Sequence, residues 1–181
     1  MRSLTTDGPN ANMNAALDTI RHATLIDLAD MDRIEQESFS TPWNRDLIRG
    51  AIHNSRYEVR VLQPGDRPVL GFYIAHTVNQ RGNLDNLAVD QRERQRGLGR
   101  QLIDDWIARA RFIGMASLTL QVNTANLVAQ TLYLDYGFSI RRQLRAYYTN
   151  GDDAFEMELT FAAHHFPAPV SPRQAQGRRE L

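Results

Sequence analysis

Apolar residues recur along this chain with two different periods, and the places where one period gives way to the other mark out its elements. Ile20 to Thr24 reads as a first strand, after which Leu25, Leu28, Met31, Ile34 and Phe39 recur at near-helical spacing and predict a helix over Asp27 to Ser38. Pro42 interrupts, and a second short helix fits Asn44 to His53, with Asn44 placed to cap it. The β-rich runs Tyr57 to Leu62 and Val69 to Val78 flank Gln63-Pro64-Gly65-Asp66, a hairpin turn signal. A second turn at Asn79 to Asn83 leads into the apolar run Leu84 to Val89. From Leu98, apolar residues at 102, 103, 106, 107, 110 and 113 make one face of a helix that Gly114 closes. Leu118, Leu120 and Val122 then alternate with Thr119, Gln121 and Asn123, a strand with two unlike faces. Asn126 to Tyr136 reads as a short helix ended by Gly137, followed by strands Phe138 to Tyr148 and Ala154 to Phe161 around Thr149-Asn150-Gly151-Asp152.

The order β-α-α-β-β-β-α-β-α-β-β predicts an α/β (α+β) domain over residues 19–161, with a mixed central sheet of seven strands and four helices. Residues 1–18 and 162–181 carry no apolar period, the latter with three prolines, and read as disordered. At 181 residues and 42% hydrophobic the chain suits one domain with one sizeable core. A formal net charge of zero argues against general nucleic-acid binding. No run is long enough to span a membrane and the first residues lack the apolar stretch of a secretory leader, so the chain reads as cytoplasmic, a monomer or weak dimer. Without cysteine there is no disulfide, no zinc-thiolate site and no thioester-forming nucleophile. His22, His53 and His76 are scattered without metal-like spacing, so none is expected to act as a ligand or a base, and no metal is expected. All 21 basic residues are arginine, which leaves the chain without a side-chain primary amine.

Chemistry enters at Arg94-Gln95-Arg96-Gly97-Leu98-Gly99-Arg100, where the run Leu84 to Val89 gives way to the long helix. Two glycines at the mouth of a helix let the backbone approach a ligand, and the free N–H groups of the first turn, backed by the helix dipole, point at whatever is negative. A pyrophosphate fits such a site. Arg92, Arg94, Arg96 and Arg100 cluster there, either to neutralise phosphate oxygens or as a solvated basic surface.

The element order and a series of motifs together resemble the GCN5-related N-acetyltransferase (GNAT) superfamily, and within it the ribosomal-protein-alanine type. The motifs are Ile34-Glu35-Gln36 before Pro42-Trp43, Asn86-Leu87-Ala88-Val89, Gln95 to Arg100, Asn126, Leu132-Tyr133, Gly137-Phe138, Tyr147-Tyr148 and Asp153-Ala154. The resemblance implies a GNAT fold and an acetyl-CoA-dependent transferase acting on the N-terminal α-amine of a protein, in that type a ribosomal protein. It implies that the main chain of Leu87, Ala88 and Val89 pairs with the pantetheine arm of the cofactor. Gln95, Arg96, Gly97, Leu98, Gly99 and Arg100 would cradle its pyrophosphate. Asn126 would hydrogen-bond the cofactor, although capping its own helix explains the residue as well. Trp43, Tyr147 and Tyr148 would line the acceptor groove, Trp43 serving equally as core, and Thr41 stands where relatives often carry Phe. Tyr133 would lie beside the cofactor sulfur: a thiolate whose acid has a pKa near 8.5 gains from a proton given by a phenol near 10.

Gln121 departs from the family pattern, in which this strand position holds a glutamate base. An amide accepts no proton at neutral pH. Deprotonating a lysine amine at pH 7 costs about 4–5 kcal/mol, an α-amine only about 1 kcal/mol, so an N-terminal acceptor survives the loss. Gln121 retains a capacity to orient the amine. Asp85, a carboxylate inside an otherwise apolar run, is a candidate replacement base acting through water, although an exposed edge position or a turn-stabilising role explains it equally. Two other functions stay open: a small-molecule amine acetyltransferase on the same fold, and an acyl-CoA-binding protein that has lost catalysis.

Overall fold

The computed structural model describes residues 18–161. The expectations of disorder for 1–18 and 162–181 fall outside the described residues, apart from Asp18, which opens the first strand. The elements run β1 (Asp18–His22), α1 (Leu28–Ser38), α2 (Arg45–His53), β2 (Tyr57–Pro64), β3 (Gly71–Val78), β4 (Arg81–Val89), α3 (Leu98–Phe112), β5 (Ser117–Asn123), α4 (Leu127–Asp135), β6 (Ser139–Leu144) and β7 (Ala154–Thr160). The order is the expected one, and the strands form one seven-stranded sheet, β1-β2-β3-β4-β5-β7-β6. Only β4 and β5 run parallel; every other neighbouring pair is antiparallel.

The two periods account for the layers. On β3, Phe72 and Ile74 join one buried cluster with Leu28, Met31 and Ile34 of α1 and Ile48 and Ala51 of α2. Tyr73 and Ala75, pointing the other way, join a second with Leu102, Ile103, Trp106 and Ile107 of α3. Strand alternation puts a helical layer on each side of the sheet. Asn44 and Asn126 cap α2 and α4, their Oδ1 atoms accepting the N–H of Leu47 and Ala129 at 2.9 and 3.1 Å. Among the described residues no helix is long and apolar enough to cross a membrane.

Several boundaries differ from expectation: β2 runs on through Gln63 and Pro64, and β4 begins at Arg81, because Arg81 to Asn83, expected in the second turn, pair with Val78 to His76. Three others have local reasons. β1 starts earlier and stops at His22, because Thr24 extends its backbone to cap the 3₁₀ turn Leu25–Asp27 and Asp27 accepts the Thr24 N–H at 2.7 Å. Val69 and Leu70 are buried ahead of β3, Leu70 donating its N–H to the Leu62 carbonyl at 2.9 Å without continuing the ladder. The strand expected to run to Tyr148 ends at Leu144, since Ala146 takes a left-handed conformation with φ 48°. Asp153 Oδ1 accepts the Ala146 N–H at 2.8 Å and holds that bend. Tyr147 and Tyr148 therefore belong to a loop, not to a strand.

Candidate active site

The site forms where the two parallel strands part. β4 and β5 pair from Arg81↔Ser117 to Leu84↔Leu120 and no further, although the strands continue to Val89 and Asn123. Each keeps its other neighbour: β4 stays on β3 as far as Gly71↔Val89, and β5 stays on β7 throughout. The sheet therefore forks. Backbone groups on the open side of β4 beyond Leu84 face a gap where a ladder partner would stand. A cavity of about 690 Å³ occupies the fork, walled by Leu84 to Leu87, by Gln121 to Asn123, by α4, and by the loops carrying Trp43 and Tyr147.

Asp85 owes its position to a bulge. Ile74 pairs with Asn86 and Ala75 with Leu84, so Asp85 is the extra residue of β4 at the crotch of the fork. It lines the cavity, and its Oδ2 lies 2.6 Å from His76 Nδ1 on β3. Burial pushes the Asp85 carboxyl above the ordinary aspartate value, and the His76 contact pulls the other way. The edge reading is thereby corrected: the residue is half-buried and partnered. His76 had no visible signal, yet an unbroken β3–β4 register would already put it diagonal to residue 85, on the same face.

Gln121 stands opposite Glu156 of β7 and lines the same cavity. The Tyr147 hydroxyl donates towards Gln121 Oε1 at 3.5 Å, and the Gln121 amide helps hold Glu156 ionised. Glu156 is engaged by Arg142 through paired contacts of 2.9 and 3.0 Å, which hold its carboxyl below the usual range. A carboxylate thus sits next to the position where the family pattern expects one, tied to arginine.

Tyr133 of α4 is buried at 7% exposure, packs edge-on against Phe138 with ring centres 5.8 Å apart, and lines the cavity. Burial pushes its phenol well above the ordinary value, so it keeps its proton throughout the neutral range. Packing and access to the cavity coexist. Asn126 likewise caps α4 and lines the cavity. Tyr147 and Tyr148 meet edge-to-face at 5.1 Å on the cavity wall.

Trp43 reaches the cavity through a latch that motif matching alone did not explain. Its backbone N–H donates to Glu35 Oε1 at 2.9 Å, and Asn86 Nδ2 donates to both Glu35 oxygens at 2.8 Å. Glu35 is 1% exposed, and burial raises its pKa against the pull of these hydrogen bonds. The latch ties the α1–α2 loop, with Thr41 on the cavity wall, to β4 beside the bulge. Trp43 also packs on the core cluster beneath α1 and α2, so it serves both roles considered for it.

Leu87 lines the cavity, Ala88 is buried and Val89 half-buried. The segment Gln95 to Arg100 lies outside that lining, at the start of α3. Gln95 and Gly97 take positive φ of 62° and 78°, and Gly97 occupies the N-cap, leaving the first-turn N–H groups without intrahelical acceptors. A Cβ at Gly99 would meet only Leu132 Cδ1's sister methyl Cδ2, at 3.7 Å. The arginines around this segment are exposed and already have partners. Arg92 pairs with Asp90 at 2.8 Å, Arg96 with Glu93, and Arg100 with Asp135 at 2.5 Å, while Arg94 donates to Ser38 Oγ at 3.0 Å.

The sequence and the fold both match known proteins. Residues 27–161 match the sequence model of the acetyltransferase (GNAT) domain. The [ribosomal protein bS18]-alanine N-acetyltransferase of Salmonella typhimurium is 32% identical over 146 residues, covering 79% of this chain and 97% of that protein. The crystal structure of the ribosomal-protein-S18-alanine N-acetyltransferase from Escherichia coli superposes with a TM-score of 0.74 at 30% identity, covering 82% of this chain and 98% of that one. Arabidopsis thaliana NAA60 in complex with acetyl-CoA shares the fold, with a TM-score of 0.72 at 17% identity over 80% of this chain and 99% of its own. The family match spans the forked strands, the glycine-opened helix and the tyrosine-bearing α4, and the chain belongs to the GNAT acetyltransferase family.

Proposed function

We propose that this enzyme moves the acetyl group of acetyl-CoA to the N-terminal α-amine of a protein, by direct attack within a ternary complex. The observation that carries the reading is the pairing of a protonated phenol, Tyr133, with a carboxylate, Asp85, on the walls of one cavity at the fork. The open side of β4 at Leu87 to Val89 suits an extended pantetheine arm, which can hydrogen-bond there as an additional strand. The N–H groups at the start of α3, from Gln95 to Arg100, suit the pyrophosphate. Gly97 and Gly99 leave the backbone there uncovered. The paired arginines exchange partners at most, so the backbone carries this contact.

In the reaction the α-amine first gives up one proton, through water, to Asp85. Its nitrogen then bonds to the thioester carbonyl carbon, the C–S bond breaks, and the leaving sulfur takes the Tyr133 proton. The second nitrogen proton passes to water as the amide forms, and Tyr133 is reprotonated from solvent. Gln121 takes no proton. Fixed between Tyr147 and Glu156, it presents a polar edge that orients the amine. Tyr147, Tyr148 and Trp43 supply rigid flat walls that suit the first residues of a peptide. The name of the Salmonella relative makes an alanine-starting terminus, such as that of a ribosomal protein, the first acceptor to try.

The test is CoA release from acetyl-CoA across a library of N-terminal peptides and a panel of small amines. Turnover on peptides with a preference among first residues is the expected result. Turnover on small amines alone, or acetyl-CoA binding with no turnover on any amine, would overturn the proposal.

A further inference from the structure

We infer that His76 takes part in the reaction through Asp85, holding one carboxylate oxygen so that the other is left at the fork to receive the acceptor's proton. The inference rests on the α-amine reading above and adds a positioning residue to it. A half-buried carboxylate in an apolar strand is costly to keep ionised unless a partner offsets its desolvation. For Asp85 that partner is His76, 2.6 Å away, a separation typical of a charge-assisted hydrogen bond. An ionised carboxylate only accepts, so the shared proton belongs to Nδ1. The imidazole is held in turn by the Tyr57 ring, 5.6 Å away and tilted by 56°.

The surroundings single out this pair. Glu35, the other carboxylate on the cavity wall, is occupied by the Trp43 N–H and the Asn86 amide. Glu156, behind Gln121, is occupied by Arg142. Tyr147 faces Asp85 from the β6–β7 loop, and the charge of Asp85 helps hold that phenol protonated. Tyr133 faces the same cavity from α4. On the far side of the ring, His22, Tyr57 and Glu58 share with His76 a second cleft of about 430 Å³. Proton bookkeeping leaves His76 unchanged: the ammonium N–H breaks, a bridging water passes its own proton to the free Asp85 oxygen, and Asp85 returns that proton to solvent as product leaves.

The experiment measures kcat and KM of the full chain on an alanine-starting peptide across the pH range, for wild type, His76→Phe, His76→Gln, Asp85→Asn and the Asp85→Asn/His76→Phe double variant. Loss of the Nδ1 donor in His76→Phe is expected to move the acidic limb of kcat/KM up by about one pH unit and to cut kcat near neutrality about tenfold, with the acetyl-CoA KM unchanged. Gln can donate to the same oxygen, so His76→Gln is expected to regain most of the loss. Adding His76→Phe to Asp85→Asn is expected to cost nothing more. A wild-type pH profile in His76→Phe would overturn the inference, as would full activity in Asp85→Asn. Should His76→Phe fail to fold, nitrogen NMR of the wild-type imidazole decides: a protonated Nδ1 supports the pair, and a bare Nδ1 overturns it. A wild type silent on every α-amine would defeat the underlying reading, whereas an active wild type with an unshifted His76→Phe profile would defeat this inference alone.

Discussion

Burial makes Tyr133 a weaker acid while leaving its proton at the cavity wall, where a leaving thiolate could take it. Tyr133→Phe keeps the edge-on contact with Phe138 and deletes only the hydroxyl. Steady-state kinetics are expected to show kcat lowered about a hundredfold with little change in the acetyl-CoA KM. An unchanged kcat would remove the assigned acid. Glu35 carries a pH signature of a different kind. Burial raises its folded-state pKa above the unfolded value, so the folded chain holds that proton more tightly and stability falls as pH rises through the interval between the two values. Urea titrations of wild type and Glu35→Gln are expected to diverge accordingly, the wild type gaining on the variant as pH drops from neutral through that interval. Parallel curves would mean that Glu35 ionises in the folded chain as it does in the unfolded one. The gathering of Tyr133, Trp43 and the tyrosine pair on one cavity was legible as residue types at motif spacing. His76 was not, because neither its residue type nor its spacing marks it, and only the pairing of β3 with β4 brings it to Asp85, nine residues on.

Elements were legible wherever a period or a cap decides them. α3 shows its buried face at Leu102, Ile103, Trp106 and Ile107 because a helix repeats every 3.6 residues whatever surrounds it, and Asn44 and Asn126 cap for a similarly local reason. The β4 bulge and the left-handed Ala146 are tertiary choices: neither Asp85 nor Ala146 is a residue that demands such geometry, and each is held by partners distant in the chain. At the start of α3 two glycines separate folding from binding. Gly99→Ala meets nothing closer than Leu132 at 3.7 Å in a helical stretch, so thermal melts are expected to show stability equal to or about 0.5–1 kcal/mol above wild type. Calorimetry on the same variant is expected to show weakened acetyl-CoA binding, because the added methyl group would stand where the phosphates approach the backbone. Gly97→Ala, at φ 78°, is expected to lose about 1 kcal/mol of stability as well as affinity. Undiminished affinity in Gly99→Ala would move the pyrophosphate elsewhere.

At the scale of the whole molecule, one break in one ladder organises everything else. Where β4 and β5 cease to pair, the sheet gains a cavity, the bulge carries a carboxylate to its crotch, α4 brings a phenol to its wall, and the Glu35 latch fastens the loop that bears Trp43. The order of strands and helices was readable from hydrophobic period, but the fork was not. Burial alternates along β4 both where it pairs with β5 and where it does not, and β3 covers its other edge throughout. The central claim is that this fork is built for an amine that loses its proton cheaply, since Gln121 cannot take one and the base proposed in its stead, Asp85, would act through water. The most direct measurement offers the enzyme acetyl-CoA and one peptide that carries both a free N-terminal alanine and an internal lysine, at neutral pH, and locates the acetyl group by mass spectrometry. The account predicts acetylation of the α-nitrogen with the lysine untouched; acetyl groups on the lysine ε-nitrogen, with the terminus free, would contradict it.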